Sequence, residues 1–103
     1  MKKSCFFVYI LLCENGAYYT GYTIDLKRRF EEHCKGTDKC KFTRSFKPLR
    51  IETSWEVPPD KSIALKIERY IKKLSKHEKQ QLIQFPGILE DVFPDYGLNF
   101  VIL

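Results

Sequence analysis

Residues 6–23 read Phe6-Phe7-Val8-Tyr9-Ile10-Leu11-Leu12-Cys13-Glu14-Asn15-Gly16-Ala17-Tyr18-Tyr19-Thr20-Gly21-Tyr22-Thr23, and this stretch decides the fold. Phe6 to Leu12 is an unbroken aromatic and aliphatic run of the length of one buried strand. It stops at Glu14-Asn15-Gly16, whose Asn-Gly suits the positive φ angles of a tight hairpin turn. Ala17 to Thr23 then returns, rich in the Tyr and Thr that favour a pleated surface. The pattern predicts an antiparallel hairpin over residues 6–23.

Downstream, Thr23 or Asp25 can cap a helix that runs to about Cys34 and is stopped by Gly36. Leu26 and Phe30 form its apolar i, i+4 pair. At one residue per 100°, Arg29 and His33 lie about 60° and 20° to one side of Leu26, bordering the buried stripe. Residues 37–48 form a basic, loop-rich connection. Arg50 to Val57 alternates through Ile51, Thr53, Trp55 and Val57 as a third strand, which Pro58-Pro59-Asp60 ends. A second helix follows with Ile63, Ile67, Tyr70, Ile71 and Leu74 on one stripe and Glu68 on its margin. Ser75 and Glu78 make a capping box for a third helix through about Gln84. The order β-β-α-loop-β-α-α predicts a small α+β domain, a three-stranded antiparallel sheet flanked by helices, over residues 1–84. Residues 85–103, broken by Pro86-Gly87 and Pro94 and ending in Phe100-Val101-Ile102-Leu103, read as an apolar and acidic extension packed on the same domain. The competing use of that tail is a surface for a protein partner or a homodimer.

The 103 residues suit one domain. With 44% hydrophobic and 15% aromatic residues, the chain has material for a core and is not disordered. Against 18 Lys and Arg stand 13 Asp and Glu, a formal charge of +5 that excludes an acidic, solvating protein and points weakly to a polyanion. The surplus is localised. Residues 25–50 hold nine bases against Asp25, Glu31, Glu32 and Asp38, and residues 61–79 hold seven bases against Glu68 and Glu78. Residues 84–103 hold no base and three acids.

Lys2 and Lys3 ahead of an apolar stretch imitate a secretion signal, but no small-residue cleavage site follows and the stretch is far shorter than a membrane span. A buried strand in a cytoplasmic protein is expected, with no membrane association. Cys5, Cys13, Cys34 and Cys40 contain no C-x-x-C pair, so separate reduced thiols are expected in place of a zinc site. Disulfides are neither required nor excluded.

Phe7-Val8-Tyr9 on the first strand and Tyr19-Thr20-Gly21 on the second resemble the paired signature of the GIY-YIG nucleases, with Phe and Val for Gly and Ile and Thr for the middle Ile. Arg29 and His33 at i, i+4 follow in the family's order. Gly36, Thr43-Arg44 and Pro48 come next, then Glu68 with Lys72 and Lys79 behind it. The resemblance covers roughly residues 6–83 and is nearest to the small stand-alone bacterial members. It implies a metal-dependent endonuclease, with Tyr9 as the general base and Tyr19 hydrogen-bonding and orienting beside it. The further polar residue, often Asn, that some larger members place after the glutamate has no match here.

The residues suit that chemistry on their own terms. Phosphodiester hydrolysis needs an activated water, neutralised phosphoryl oxygens and a stabilised leaving oxygen. Arg29 supplies a permanent cation with a fork that fits phosphate. Glu68 is a hard oxygen ligand for Mg²⁺ or Mn²⁺, and a single carboxylate implies one metal ion. His33 can donate to a phosphate or help move a proton. No second carboxylate or second histidine stands near in the pattern, and a tyrosine, ordinarily near pKa 10, can serve as base if cations lower it. Lys27, Arg28, Lys35, Lys41, Arg44 and Lys47 are expected to grip the DNA backbone without reading sequence, and RNA is not excluded. Singly, each site residue has a commoner structural role, such as a Glu68–Lys72 surface pair. All five at family spacing favour the enzyme. A nucleic-acid-binding or partner-dependent module with little activity is the alternative, and an interaction or regulatory subunit using the apolar tail is a third reading.

Overall fold

The computed structural model describes residues 5–36 and 46–101. Strand β1 (Phe6–Cys13) and strand β2 (Tyr18–Thr23) form the hairpin, in antiparallel register with Tyr9 opposite Gly21 and Leu11 opposite Tyr19. Gly16 takes φ 82 in the turn, and the Asn15 side chain accepts from the Ala17 N–H at 3.1 Å. Helix α1 (Leu26–Lys35) begins at Asp25, whose carboxylate accepts from the Arg28 N–H, and ends at Gly36 in the left-handed region. Strand β3 (Pro48–Val57) lies antiparallel along the other side of β1, with Ser54 opposite Tyr9. It begins two residues earlier than the alternation at Arg50 predicts. Helix α2 (Lys61–Lys72) is capped by Asp60, and helix α3 (Lys76–Gln84) opens with the full Ser75–Glu78 capping box.

The sheet has four strands in the order β2-β1-β3-β4, not three. Helix α4 (Ile88–Val92) and a 3₁₀ turn at Pro94–Tyr96 lead to strand β4 (Asn99–Val101), which pairs with Ser54 to Glu56 of β3. Three paired residues are too few to show a period in the sequence, so this edge strand is legible only through its partner. Leu89 and Leu98 of the same segment are buried, and the Trp55 indole N–H donates to the Pro86 carbonyl at 2.9 Å.

The period of two divides the sheet into distinct faces. Val8, Ile10, Trp55 and Val57 point to one side, where Ala64, Ile67 and Ile71 of α2, Leu82 of α3, Leu89 and Leu98 complete the main core. Tyr9 and its cross-strand neighbours Gly21 and Ser54 point to the other. There α1 packs, bringing His33 against Tyr9 and Tyr19. No helix among the described residues is long and apolar enough to cross a membrane.

Candidate active site

A cleft of about 490 Å³ is lined by Tyr9 from β1, Tyr19, Gly21, Tyr22 and Thr23 from β2, Arg28, Arg29 and Glu32 from α1, and Glu68 from α2. Strand β2 is an edge strand. Because Gly21 and Tyr22 face opposite sides of it, the cleft wraps around that edge, with α1 and α2 as its walls.

Gly21 makes room for the central residue. A Cβ built there would stand 2.6 Å from the Tyr9 hydroxyl oxygen and 3.1 Å from the Tyr19 ring, so Tyr9 lies across a position that only glycine leaves open. Tyr9 is 2% exposed, and its hydroxyl is 2.9 Å from His33 Nε2. The two rings meet edge to face at 5.9 Å, and Tyr19 meets His33 in the same way at 5.0 Å. His33 is fully buried, deeper than the margin position expected from helical spacing. It is absent from the cleft wall and reaches the cleft through Tyr9, so direct donation from His33 to a phosphate is not what this geometry offers. Burial, and secondarily the Arg29 cation, push the His33 pKa down to about 4, and the ring is neutral at neutral pH.

Arg29 Nη1 donates to Glu32 Oε1 at 2.9 Å. Glu32 Oε2 lies 3.7 Å from Arg28 Nε. Glu32 is therefore a second carboxylate at the cleft, contrary to the expectation that Glu68 stands alone. Its spacing of three from Arg29 and four from Arg28 was the available signal, but such pairs also occur on any solvated helix. The Glu68 side chain is 12% exposed and opens onto the cleft, with Lys72 Nζ 3.6 Å from Oε1.

The expected cationic grip does not gather at one place. Arg28 lines the cleft, while Lys27 and Lys35 are exposed along α1. Lys47 is exposed beside the β1–β2 turn, where its carbonyl accepts from the Glu14 N–H at 2.8 Å. Lys41 and Arg44, with Cys40 and the Thr43-Arg44 pair, lie outside the described residues. Cys13 and Cys34 are free thiols. Among the described residues, no group of three His, Cys, Asp or Glu side chains is placed to hold a metal ion.

Compared with known families, residues 5–81 match the GIY-YIG catalytic domain. The chain belongs to the GIY-YIG family. This GIY-YIG chain is 41% identical over 81 residues to the UPF0213 protein BH0048 of Halalkalibacterium halodurans, covering 79% of the chain and 84% of that protein. It is 45% identical over 80 residues to a UPF0213 protein of Vibrio cholerae serotype O1, 78% of each chain. A UPF0213 protein of Halobacterium salinarum is 43% identical over 75 residues, which is 73% of this chain and 95% of that one. The solution NMR structure of the UPF0213 protein BH0048 from Bacillus halodurans superposes with a TM-score of 0.51 at 40% identity, over 81% of this chain and 86% of that one. The GIY-YIG family is a nuclease superfamily, and its α+β fold is the one found here.

Proposed function

We propose that this GIY-YIG domain is a metal-dependent endonuclease that hydrolyses DNA phosphodiester bonds in the cleft at the β2 edge. The observation that supports it most is the 2.9 Å contact between His33 Nε2 and the hydroxyl of Tyr9, which lines the same cleft as Arg29 and Glu68. A neutral imidazole with its proton on Nδ1 accepts at Nε2. Tyr9 can then take a proton from the attacking water while passing its own to His33, so no free phenolate has to form. The water oxygen bonds to phosphorus, the bond to the leaving sugar oxygen breaks, and the water proton is relayed to the imidazole. A phosphate at Arg29 offsets the charge that helps hold the His33 pKa down, so substrate binding makes His33 a better acceptor. Tyr19, in edge contact with His33, keeps the ring in place.

Glu68, a hard carboxylate that faces an open polar cleft, would hold one Mg²⁺ or Mn²⁺. Such an ion would supply Lewis-acid stabilisation of charge on the phosphoryl and leaving oxygens. Lys72, half-exposed and 3.6 Å from Glu68 Oε1, adds a cation beside the cleft for the backbone of the nucleic acid.

Tyr9→Phe tests the relay, because it keeps the ring over Gly21 and removes only the oxygen. Nicking of plasmid or branched DNA in Mg²⁺ or Mn²⁺ is expected to fall by about 10²- to 10⁴-fold, the usual worth of a general base. Unchanged nicking by Tyr9→Phe rules out the relay.

A further inference from the structure

Helix α1 places three charges on one wall of the cleft. Glu32 follows Arg28 by four residues and Arg29 by three, so its carboxylate lies beneath both guanidinium groups. Each oxygen serves a different arginine: Oε1 is 2.9 Å from Arg29 Nη1, and Oε2 is 3.7 Å from Arg28 Nε. The Arg29 and Glu32 side chains are 18% and 27% exposed, so solvent screens their pair less than an open surface ion pair. All three residues line the cleft.

We infer that Glu32 is a positioning residue for phosphodiester cleavage: it fixes the Arg29 guanidinium, with the more exposed Arg28 in a looser ion pair beside it, as a phosphate-recognising wall. This rests on the nuclease reading above and adds a residue that the family resemblance does not assign. A guanidinium is a planar fork with five donors on a flexible stem, and it recognises phosphate well only when its plane is held. Glu32 holds that plane through Nη1. It also cancels one of the two positive charges, so the wall attracts DNA less than two bare arginines would. Glu32 therefore lowers affinity for the DNA backbone and raises the rate at which a bound phosphodiester is cut. A residue with a merely structural role would not move binding and cleavage in opposite directions.

The test uses the full chain and one labelled DNA substrate, with binding measured in EDTA and single-turnover cleavage measured in Mg²⁺ or Mn²⁺. Glu32→Ala is expected to bind about 2- to 5-fold more tightly, the worth of one partly screened ion pair. Its cleavage rate is expected to fall by about 10- to 100-fold, as for a misplaced catalytic group. Glu32→Gln keeps an acceptor for Arg29 Nη1 without the charge, so it should bind as tightly as Glu32→Ala while recovering most of the rate. Equal binding, weaker binding or an undiminished rate in Glu32→Ala overturns the inference. A Glu32→Gln as slow as Glu32→Ala also overturns it, since the carboxylate itself would then be the working group, as proton carrier or metal ligand. If the wild-type chain cuts nothing, the nuclease reading fails on that result alone and the positioning role falls with it.

Discussion

His33 concentrates the physical chemistry of the site in one side chain. It is buried in its neutral form beneath Tyr9, with a pKa near 4 against an ordinary value near 6.5. The folded value lies below the unfolded one, so as pH falls the unfolded chain takes up the proton first. The stability that neutral His33 contributes is complete above about pH 6.5 and is lost as pH falls toward 4, because the slope follows the difference in bound protons. Thermal stability is therefore expected to fall between pH 6.5 and 4 with a slope steeper by up to about one bound proton in the wild type than in His33→Gln, with the His33 ring resonances titrating near pH 4. A His33 titration near 6.5 would show the ring to be solvated. The residues meeting here were legible because the paired tripeptides, the Arg29/His33 spacing and Glu68 occur together in order. The depth of His33 was not, because an offset of about 20° from Leu26 suits an edge as well as an interior. The missing side chain at Gly21 lets Tyr9 lie across β2, with its hydroxyl 2.9 Å from His33 Nε2. Glu32 was illegible for another reason: its i, i+3 and i, i+4 partners also describe a solvated helix face.

Elements carry these residues to one place, and their ends do much of the placing. Helix α1 holds Arg28, Arg29, Glu32 and His33 within its first two turns, directly after the Asp25 cap. Asp25→Ala removes the acceptor for the Arg28 N–H and is expected to cost about 1 kcal/mol, or roughly 5 °C in a domain of this size. Asp25→Asn should restore most of that stability, and calorimetry on the two variants checks it. Equal losses in both would mean that the cap is not what orders this turn. Local chemistry of this kind made the elements readable: Asn15-Gly16 for the hairpin, Asp25 and Gly36 for α1, Ser75 and Glu78 for α3. Strand β4 has no such mark. It exists because β3 offers an edge at Ser54 to Glu56, and long-range pairing leaves no local trace.

For the whole molecule, the two faces of the sheet divide the work. One face, closed by α2, α3 and the buried Leu89 and Leu98 of the C-terminal segment, builds the core that holds β1 rigid. The other face presents Tyr9 to α1, and the β2 edge between the walls is where the cleft opens. Of the bases behind the surplus of +5, Arg28 and Arg29 line that cleft and Lys72 pairs with Glu68 beside it, while the C-terminal segment, which holds three acids and no base, supplies the strand at the other edge of the sheet. The proposed nuclease reading rests on the Tyr9–His33 pair, the Arg28 and Arg29 guanidiniums and the Glu32 and Glu68 carboxylates meeting at the same opening. Nicking of supercoiled or branched DNA by the chain alone, with and without Mg²⁺ or Mn²⁺, for wild type and Glu68→Gln, tests that claim most directly. The wild type should nick only with the metal ion, and Glu68→Gln should be slower by about 100-fold or more while still binding DNA. Equal nicking by both proteins, or metal-independent nicking by the wild type, would contradict it.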